Sequence, residues 1–252
     1  MNVGDDSVSD DTLYAGYDRA GLDSQYNNRE RVPDHATITA RWQRVGTAVR
    51  GTVTSRLDVP YGPSPAEVLD IFMPEGEGPF PINIYLHGGY WYSRHKDDFS
   101  AIAGAFVPAG AISIIVNYAL VPEVSLAELI RQCRAAVAWT HDNAANFGGD
   151  ADRLFVTGHS AGGHLVAMML ATDWAAFAGK PNDLIKGGVA ISGLYDLTPM
   201  RMCFLDDTLG LSDDDVRTLS PLTLDPIGSA PLIAAYGGGE SEEFKRQAAT
   251  FA

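Results

Sequence analysis

The sequence is poor in cysteine and in basic residues, and it has no long hydrophobic run. Its two cysteines, Cys133 and Cys203, stand in ordinary stretches, so we expect buried thiols in a reducing cytoplasm and no disulfide. The 18 lysines and arginines are outnumbered by 32 acidic residues, which gives a formal net charge of −14. Such a chain is poorly suited to nucleic acid or to an anionic membrane. No apolar run is long enough to cross a bilayer.

Metal ligands and a secretion signal are missing as well. No group of Cys and His residues has the spacing of metal ligands, so neither a metal nor another cofactor is predicted. The first seven residues are polar and acidic and lack the basic and apolar regions of a cleaved signal. Residues 1–12, rich in Asp and Ser, are expected to be disordered. Residues 13–252 are long enough for one α/β domain, and no feature indicates an oligomeric state.

Most of the chemistry is concentrated in residues 158–162, which read GHSAG and match the pattern G-x-S-x-G. The apolar run at 153–157 predicts a buried strand, and the run at 165–171 predicts a buried helix. A sharp turn between the two lifts a serine hydroxyl above the sheet. Ser160 is therefore the predicted nucleophile, and the Ala161 amide at the helix start is predicted to stabilise an oxyanion. The alternative is a glycine-rich turn with an idle serine.

Alternating strands and helices predict a mostly parallel sheet with helices on both faces. Strands are predicted at residues 52–59, 67–73, 81–86, 111–116, 153–157, 184–192 and 231–236. Helices are predicted after Asp34, at 99–107, and from Ser125 to about Asn146. We interpret residues 13–50 as an N-terminal helical segment that packs over or beside the site, and residues 193–229 as a small helical lid.

A second glycine motif follows the predicted third strand, where residues 87–91 read HGGYW. Glycines at a strand end let the backbone turn so that its N–H groups point towards a neighbouring site. The amides of Gly89 and Tyr90 are predicted to complete an oxyanion hole with the amide of Ala161. A plain structural turn is the alternative, and the presence of the GHSAG motif disfavours it.

Together, HGGYW at 87–91 and GHSAGG at 158–163 resemble the kynurenine formamidase (arylformamidase) branch of the α/β-hydrolases, which is similar to the hormone-sensitive-lipase-like esterases. The stretches 117–118, 191–197 and 219–222 are in keeping with that family, so the resemblance covers about residues 13–252. It implies an α/β-hydrolase fold and hydrolysis of N-formyl-L-kynurenine to formate and L-kynurenine. Trp91 and Tyr92, with Tyr90, are candidate walls of an aryl pocket; core packing is an equal alternative for Trp91.

The resemblance also indicates where the other triad members belong. The acid should lie just after the last strand, where Glu240 stands; relatives often carry Asp there, and Asp196 is the reserve candidate. The base should follow the acid, yet all six histidines precede Glu240. We therefore interpret the chain as a truncated hydrolase without its last strand and catalytic histidine. This would leave strand 231–236 as an unpaired edge of the sheet and would make hydrolysis slow. His95 is the first substitute base to consider.

Two other functions stay open. A carboxylesterase acting on small acyl or aryl esters would use the same residues on a better leaving group. A non-catalytic α/β-hydrolase-fold protein would keep the pocket and bind an aryl ligand without turning it over. In all three interpretations the partner is a small molecule.

Overall fold

The computed structural model describes residues 12–252, so the predicted disorder of the N-terminus concerns residues that lie outside this range apart from Thr12. The described strands are β1 Ser55–Pro60, β2 Val68–Phe72, β3 Phe80–Leu86, β4 Ile112–Val116, β5 Gly149–His159, β6 Ile185–Ile191 and β7 Leu232–Ala235. They form one sheet in the order β1-β2-β4-β3-β5-β6-β7. β2 is antiparallel to β1 and β4, and all the other neighbours are parallel.

Helices connect the strands and lie on both faces of the sheet. They are α1 Arg19–Tyr26, α2 Asn28–Arg31, α3 His35–Thr52, α4 Ala103–Phe106, α5 Leu126–Asn143, α6 Ala161–Leu170, α7 Trp174–Ala178, α8 Thr198–Met202, α9 Asp206–Leu209, α10 Asp213–Leu219 and α11 Glu242–Phe251. Short 3₁₀ helices are found at Lys96–Ile102, Ala144–Phe147 and Pro221–Thr223. Between residues 12 and 252 no helix has both the length and the apolar character needed to cross a membrane.

Several predicted boundaries differ from the structure. The strand predicted at 153–157 is longer, at Gly149–His159, and the helix predicted to about Asn146 ends at Asn143, followed by a 3₁₀ helix. Two other differences have a clear local cause. The first strand begins at Ser55 and not at residue 52, because α3 continues through Thr52 and ends where the Val53 amide donates to the Val49 carbonyl. The helix predicted at 99–107 begins earlier, as the 3₁₀ helix from Lys96. Its start is fixed by a capping box, in which the His95 side chain accepts from the Asp97 amide and the Asp98 carboxylate accepts from the His95 amide.

The sheet separates two apolar cores of unequal size. The larger lies on the face that α5 and α6 cover, and the smaller lies where α3 and α4 cover β2, β4 and β3. Strands β5 to β7 carry large apolar side chains on the face of the smaller core, and these stay exposed: Phe155 at 39%, Ile191 at 43% and Ile233 at 62%. On the face of the smaller core, apolar side chains are therefore buried near the centre of the sheet and become exposed towards β7.

The register of the central strands brings the two glycine motifs together. β3 and β5 are parallel neighbours, with Leu86 opposite Gly158. Both chains therefore leave the sheet at the same carboxyl edge, where ligands bind in open α/β sheets. Residues 193–229 follow β6 on this edge and contain α8, α9, α10 and a 3₁₀ helix. Whether this stretch acts as a lid stays a prediction.

Candidate active site

Ser160 occupies a sharp turn between β5 and α6. Its backbone has φ 59° and ψ −122°, a region that residues other than glycine seldom adopt. A Cβ at Gly158 would collide with the carbonyl oxygens of Gly162 and Leu86, so glycine is required there by close contact. The Ser160 amide donates to the Ile191 carbonyl at 2.8 Å, which joins the turn to β6. The Ser160 hydroxyl forms no hydrogen bond with any described residue.

Several backbone amides beside this turn have no acceptor among residues 12–252, and those of Gly89, Tyr90 and Ala161 are among them. The loop after β3 touches the turn, since a Cβ at Gly88 would lie 3.1 Å from the Ser160 Cβ. These are the amides that the sequence predicts for the oxyanion hole. The structure brings them to one edge of the sheet next to the serine, while their chemical role stays a prediction.

The loop that carries two of these amides, residues 87–92, is held in left-handed backbone. The φ angles are 127° at Gly89, 50° at Tyr90 and 60° at Trp91. Trp91 is fully buried, and its indole N–H donates to Nδ1 of His164 at 3.2 Å. Of the two alternatives for Trp91, this burial favours core packing over a wall of the substrate pocket. The left-handed backbone turns the indole under the loop and into the core.

Tyr90 and Tyr92 keep partial exposure, and their rings stack with centroids 6.2 Å apart. The Tyr90 hydroxyl donates to the Tyr26 carbonyl at 2.6 Å and accepts from the Asn28 side-chain amide at 3.1 Å. Burial is the main cause that raises the pKa of Tyr90, so its hydroxyl stays protonated and can donate at neutral pH. Helices α1 and α2 therefore hold the Tyr90 side chain in place through its hydroxyl. Neither Tyr26 nor Asn28 stands out in the sequence as a site residue.

Glu240 lies in the loop between β7 and α11, beside the end of β6. Its Oε1 accepts hydrogen bonds from the Ser192 hydroxyl at 2.6 Å and from the Gly237 amide at 3.0 Å. Its Oε2 is buried and has no partner among the described residues. Ser192 directly follows Ile191, which binds the Ser160 amide, so Glu240 is anchored next to the serine turn.

Asp196, the reserve candidate for the acid, is engaged elsewhere. Its carboxylate accepts hydrogen bonds from the Tyr14 hydroxyl at 2.8 Å and from the Thr198 amide at 2.9 Å. The Arg246 guanidinium on α11 lies 3.8 Å away. The contacts of Asp196 thus tie the N-terminal segment to α11, and geometry favours Glu240 as the acid. That assignment stays a prediction.

No imidazole of the six histidines, all of which the structure describes, forms a hydrogen bond with Ser160 or Glu240. Burial lowers the pKa of both His87 and His164 to about 4, so each is neutral at pH 7. His95 is half exposed and caps the 3₁₀ helix from Lys96. Burial also lowers the pKa of His159, against the opposing effect of the Glu240 carboxylate. Among residues 12–252, therefore, no imidazole bridges Ser160 and Glu240 in the structure.

Comparison with known proteins identifies the family. The BD-FAE family profile matches residues 69–207, a range that includes both glycine motifs. A kynurenine formamidase of Danio rerio is 32% identical over 248 residues, which cover 96% of this chain and 81% of the relative. The chain belongs to the kynurenine-formamidase-like esterase family.

Solved structures agree with this family membership. A protein of Silicibacter sp. TM1040, described as a candidate thioesterase, is 30% identical with a TM-score of 0.80, and the match covers 91% of this chain and 85% of that one. The carboxylesterase EstE1 from a metagenomic library has a TM-score of 0.65 at 18% identity, covering 86% and 81%. The predicted α/β-hydrolase fold is confirmed, and the chain is a hydrolase by family.

Within this hydrolase the arrangement fits one half of the acyl-transfer site that the sequence predicts. A serine on a strained turn lies beside amides without an acceptor, and such amides are suited to stabilise an oxyanion, which is the largest single contribution in many acyl-transfer enzymes. The other half is the Glu240 carboxylate, whose Oε2 has no hydrogen-bond partner among the described residues. The sequence signal for the first half was strong, whereas Ser192 gave no signal, because nothing local marks it as the partner of Glu240.

Proposed function

We propose that this chain is a serine hydrolase that cleaves N-formyl-L-kynurenine to L-kynurenine and formate. The observation that carries the proposal is the group of three unpaired amides, those of Gly89, Tyr90 and Ala161, beside the free hydroxyl of Ser160. The name of the Danio rerio relative supports an aryl formamide as the substrate, since the similarity extends over nearly the whole chain.

In the proposed reaction the Ser160 Oγ attacks the formyl carbon, and its proton passes to a base. The carbonyl oxygen becomes an oxyanion that the three amides stabilise. Collapse of this adduct breaks the C–N bond, the base returns the proton to the departing aryl amine, and a formyl ester remains on Ser160. Water then hydrolyses that ester, which releases formate and restores the serine. The stacked rings of Tyr90 and Tyr92 are suited to contact the aryl group.

The reaction needs an imidazole that residues 12–252 do not supply. The free Oε2 of Glu240 is suited to accept a hydrogen bond from the second N–H of such an imidazole, as the acid does in a triad. Alone, the chain should keep only the residual catalysis of an oxyanion hole and binding, roughly 10³–10⁴-fold over water. Free imidazole in the buffer should raise that rate.

The test follows the release of L-kynurenine from N-formyl-L-kynurenine by the 252-residue chain at increasing concentrations of imidazole. We expect a rate that rises with imidazole and a loss of that rise in Ser160→Ala. The matched reagent is 1-methylimidazole, which is a base but lacks the N–H that would bind Glu240, so it should rescue less well. Equal rates in the wild type and Ser160→Ala would overturn the proposal.

A carboxylesterase or thioesterase activity is the second candidate, because an oxyanion hole and a serine serve esters equally well. The relative described as a candidate thioesterase supports this alternative. Rates on formanilide and on phenyl acetate under identical imidazole concentrations separate the two. A higher rate on formanilide relative to the uncatalysed reaction favours the formamidase, and the reverse favours the esterase. Ligand binding with no turnover of either would favour the non-catalytic alternative.

The proposal includes a cytoplasmic site of action. Cys133 and Cys203 are both buried and unpaired in the structure, which suits a reducing compartment. Burial raises the pKa of the Cys203 thiol to about 11, so it is a poor nucleophile there. Fractionation of cells that express the tagged natural protein would test the location.

A further inference from the structure

We infer that Trp91 and His164 are positioning residues, which hold the oxyanion loop (residues 87–92) in place through the hydrogen bond between the indole N–H and the imidazole Nδ1. This inference rests on the proposed function, because it assigns two further residues to that reaction. Neither residue touches the substrate or the reacting atoms in this assignment.

The two amides of the oxyanion loop that are predicted to bind the oxyanion form no hydrogen bonds that would stabilise the loop. The amides of Gly89 and Tyr90 are unpaired, and three successive residues have positive φ angles of 127°, 50° and 60°. Left-handed backbone at a non-glycine residue is costly and persists only where surrounding contacts enforce it. At the end of the loop, the Tyr92 and Ser93 amides donate to the Gly89 carbonyl at 3.3 and 3.1 Å. Beyond these bonds its conformation depends on side chains and on the neighbouring segments.

Trp91 provides the most deeply buried of these contacts. Its side chain is fully buried, and the indole meets the His164 ring edge-on, with centroids 5.0 Å apart and an angle of 87°. Its carbonyl accepts from the Val121 amide at 3.0 Å. The same residue thus anchors the loop by its side chain to α6 and by its backbone to the segment after β4.

The direction of the hydrogen bond fixes the state of His164. An indole N–H can only donate, so Nδ1 of His164 must accept and carry no proton. The proton is then on Nε2, which donates to the Leu219 carbonyl at 2.8 Å. His164 is consequently a neutral bridge between the oxyanion loop and the end of α10. It cannot act as a proton carrier for Ser160 without breaking one of these bonds.

The position of His164 explains why this bridge matters for catalysis. His164 stands four residues after Ser160 on the turn that starts α6, and its amide donates to the Ser160 carbonyl at 3.2 Å. One helical turn therefore carries both the predicted nucleophile and the anchor of the oxyanion loop. The distance between the Ser160 hydroxyl and the Gly89 and Tyr90 amides is set by this single rigid unit.

Two substitutions at His164 separate the bridge into its two bonds. In His164→Asn, the side-chain oxygen can take the place of Nδ1 and still accept from Trp91, while the bond to Leu219 is lost. In His164→Gln, the side-chain NH₂ can take the place of Nε2 and still donate to Leu219, while the bond to Trp91 is lost. Trp91→Phe removes the same bond from the other side and keeps an aromatic ring in the core.

The experiment measures the dissociation constants of benzeneboronic acid and of L-kynurenine for each variant, with thermal unfolding as a check on folding. The boronate forms a tetrahedral adduct with a serine and so reports on the oxyanion hole, whereas L-kynurenine reports on the ground-state pocket. We expect Trp91→Phe and His164→Gln to weaken boronate binding at least about 10-fold and to leave L-kynurenine binding within about twofold. His164→Asn should retain boronate affinity close to that of the wild type.

The outcomes distinguish this inference from the proposed function. Ser160→Ala with undiminished boronate binding would overturn the proposed nucleophile. If Ser160→Ala loses the boronate while Trp91→Phe and His164→Gln retain it, only the positioning role is wrong. Equal loss in His164→Asn and His164→Gln, matched by equal loss of thermal stability, would also overturn it and leave both residues a packing role. The double variant Trp91→Phe/His164→Gln should be no worse than either single variant, because all three lack the same bond.

Discussion

The predicted oxyanion side of the site and the predicted acid side, called below the oxyanion side and the acid side, differ in the contacts that hold them in place. On the oxyanion side, residues 87–92 and 158–163, backbone packs on backbone and Trp91 and His164 are fully buried beneath. On the acid side, residues 236–240 follow the edge strand β7, where Ile233 is 62% and Tyr236 46% exposed. Close contact between backbone segments restricts the conformation of the oxyanion side. The conformation of the acid side depends instead on a few side-chain hydrogen bonds.

The glycines of the two sides differ in how closely other atoms surround them. At Gly88, Gly89 and Gly162 an added Cβ would collide with a backbone carbonyl, so these positions exclude any side chain. At Gly238 and Gly239 an added Cβ would meet nothing within 4 Å. Close packing therefore requires glycine on the oxyanion side. On the acid side there is room for a side chain, and glycine only gives the backbone more conformational freedom.

The largest effect is expected from a matched pair of alanine substitutions at these glycines. Gly89→Ala puts a Cβ at φ 127° against the Ser93 carbonyl, which should displace the oxyanion amides and slow imidazole-assisted hydrolysis roughly 10²–10³-fold. Gly238→Ala should stay within about twofold of the wild type. The measurement is the rate on N-formyl-L-kynurenine at fixed imidazole. Similar losses in the two variants would break the comparison between the two sides.

The same contrast explains what the sequence could predict. Both glycine motifs were readable because their requirement is local: each needs a strand end, a tight turn and small residues within a few positions. The bond from Asn28 to Tyr90 joins residues 62 positions apart, and that from Ser192 to Glu240 joins residues 48 apart. Neither pair leaves a periodic or compositional trace. Trp91 was open to two interpretations, since an aromatic after a glycine turn fits a pocket or the core equally, and only the left-handed backbone decides.

The pH dependence of stability should also divide the two sides, because the buried histidines His87 and His164 lie on the oxyanion side. Each has a pKa of about 4 when folded against about 6.5 when unfolded, so between these values the unfolded chain binds more protons. The free energy of unfolding should therefore fall as the pH drops from 6.5 towards 4, by roughly 3 kcal/mol for each histidine. Arg134 near His164 further disfavours protonation there, whereas near His87 the effects of Asp98 and Arg94 oppose one another.

Urea unfolding of the wild type and His164→Gln at pH 7, 5.5 and 4.5 checks this expectation. Glutamine at position 164 does not titrate in this range, so of the two histidines only His87 contributes in the variant. The part of the loss in unfolding free energy between pH 7 and 4.5 that these histidines cause should therefore be about half as large in the variant as in the wild type. An equally steep loss in both proteins would assign the pH dependence to other groups and weaken the contrast.

A smaller effect is expected from Glu240→Gln on the acid side. The substitution keeps the shape and removes the charge that would orient an imidazole, so the advantage of imidazole over 1-methylimidazole should shrink about 10-fold or disappear. The boronate affinity should not change by more than about twofold, because the oxyanion amides are not touched. Asp196→Asn is the matched control at the reserve position, and it should leave the imidazole preference unchanged. The reverse result would transfer the role of the acid to Asp196.

The smallest effect is expected at Ser192, which donates to Glu240 Oε1 at 2.6 Å. Ser192→Ala removes one of two hydrogen bonds at that oxygen, and the Gly237 amide at 3.0 Å remains. A hydrogen bond to a charged group is worth about 1.5–3 kcal/mol, but only the part that orients the carboxylate affects the reaction. We therefore expect imidazole-assisted hydrolysis to fall about two- to fivefold, with an unchanged boronate affinity. Ser229→Ala, at an exposed serine, is the control and should match the wild type. A loss at Ser192 as large as that of Gly89→Ala would mean that the acid side is as tightly organised as the oxyanion side.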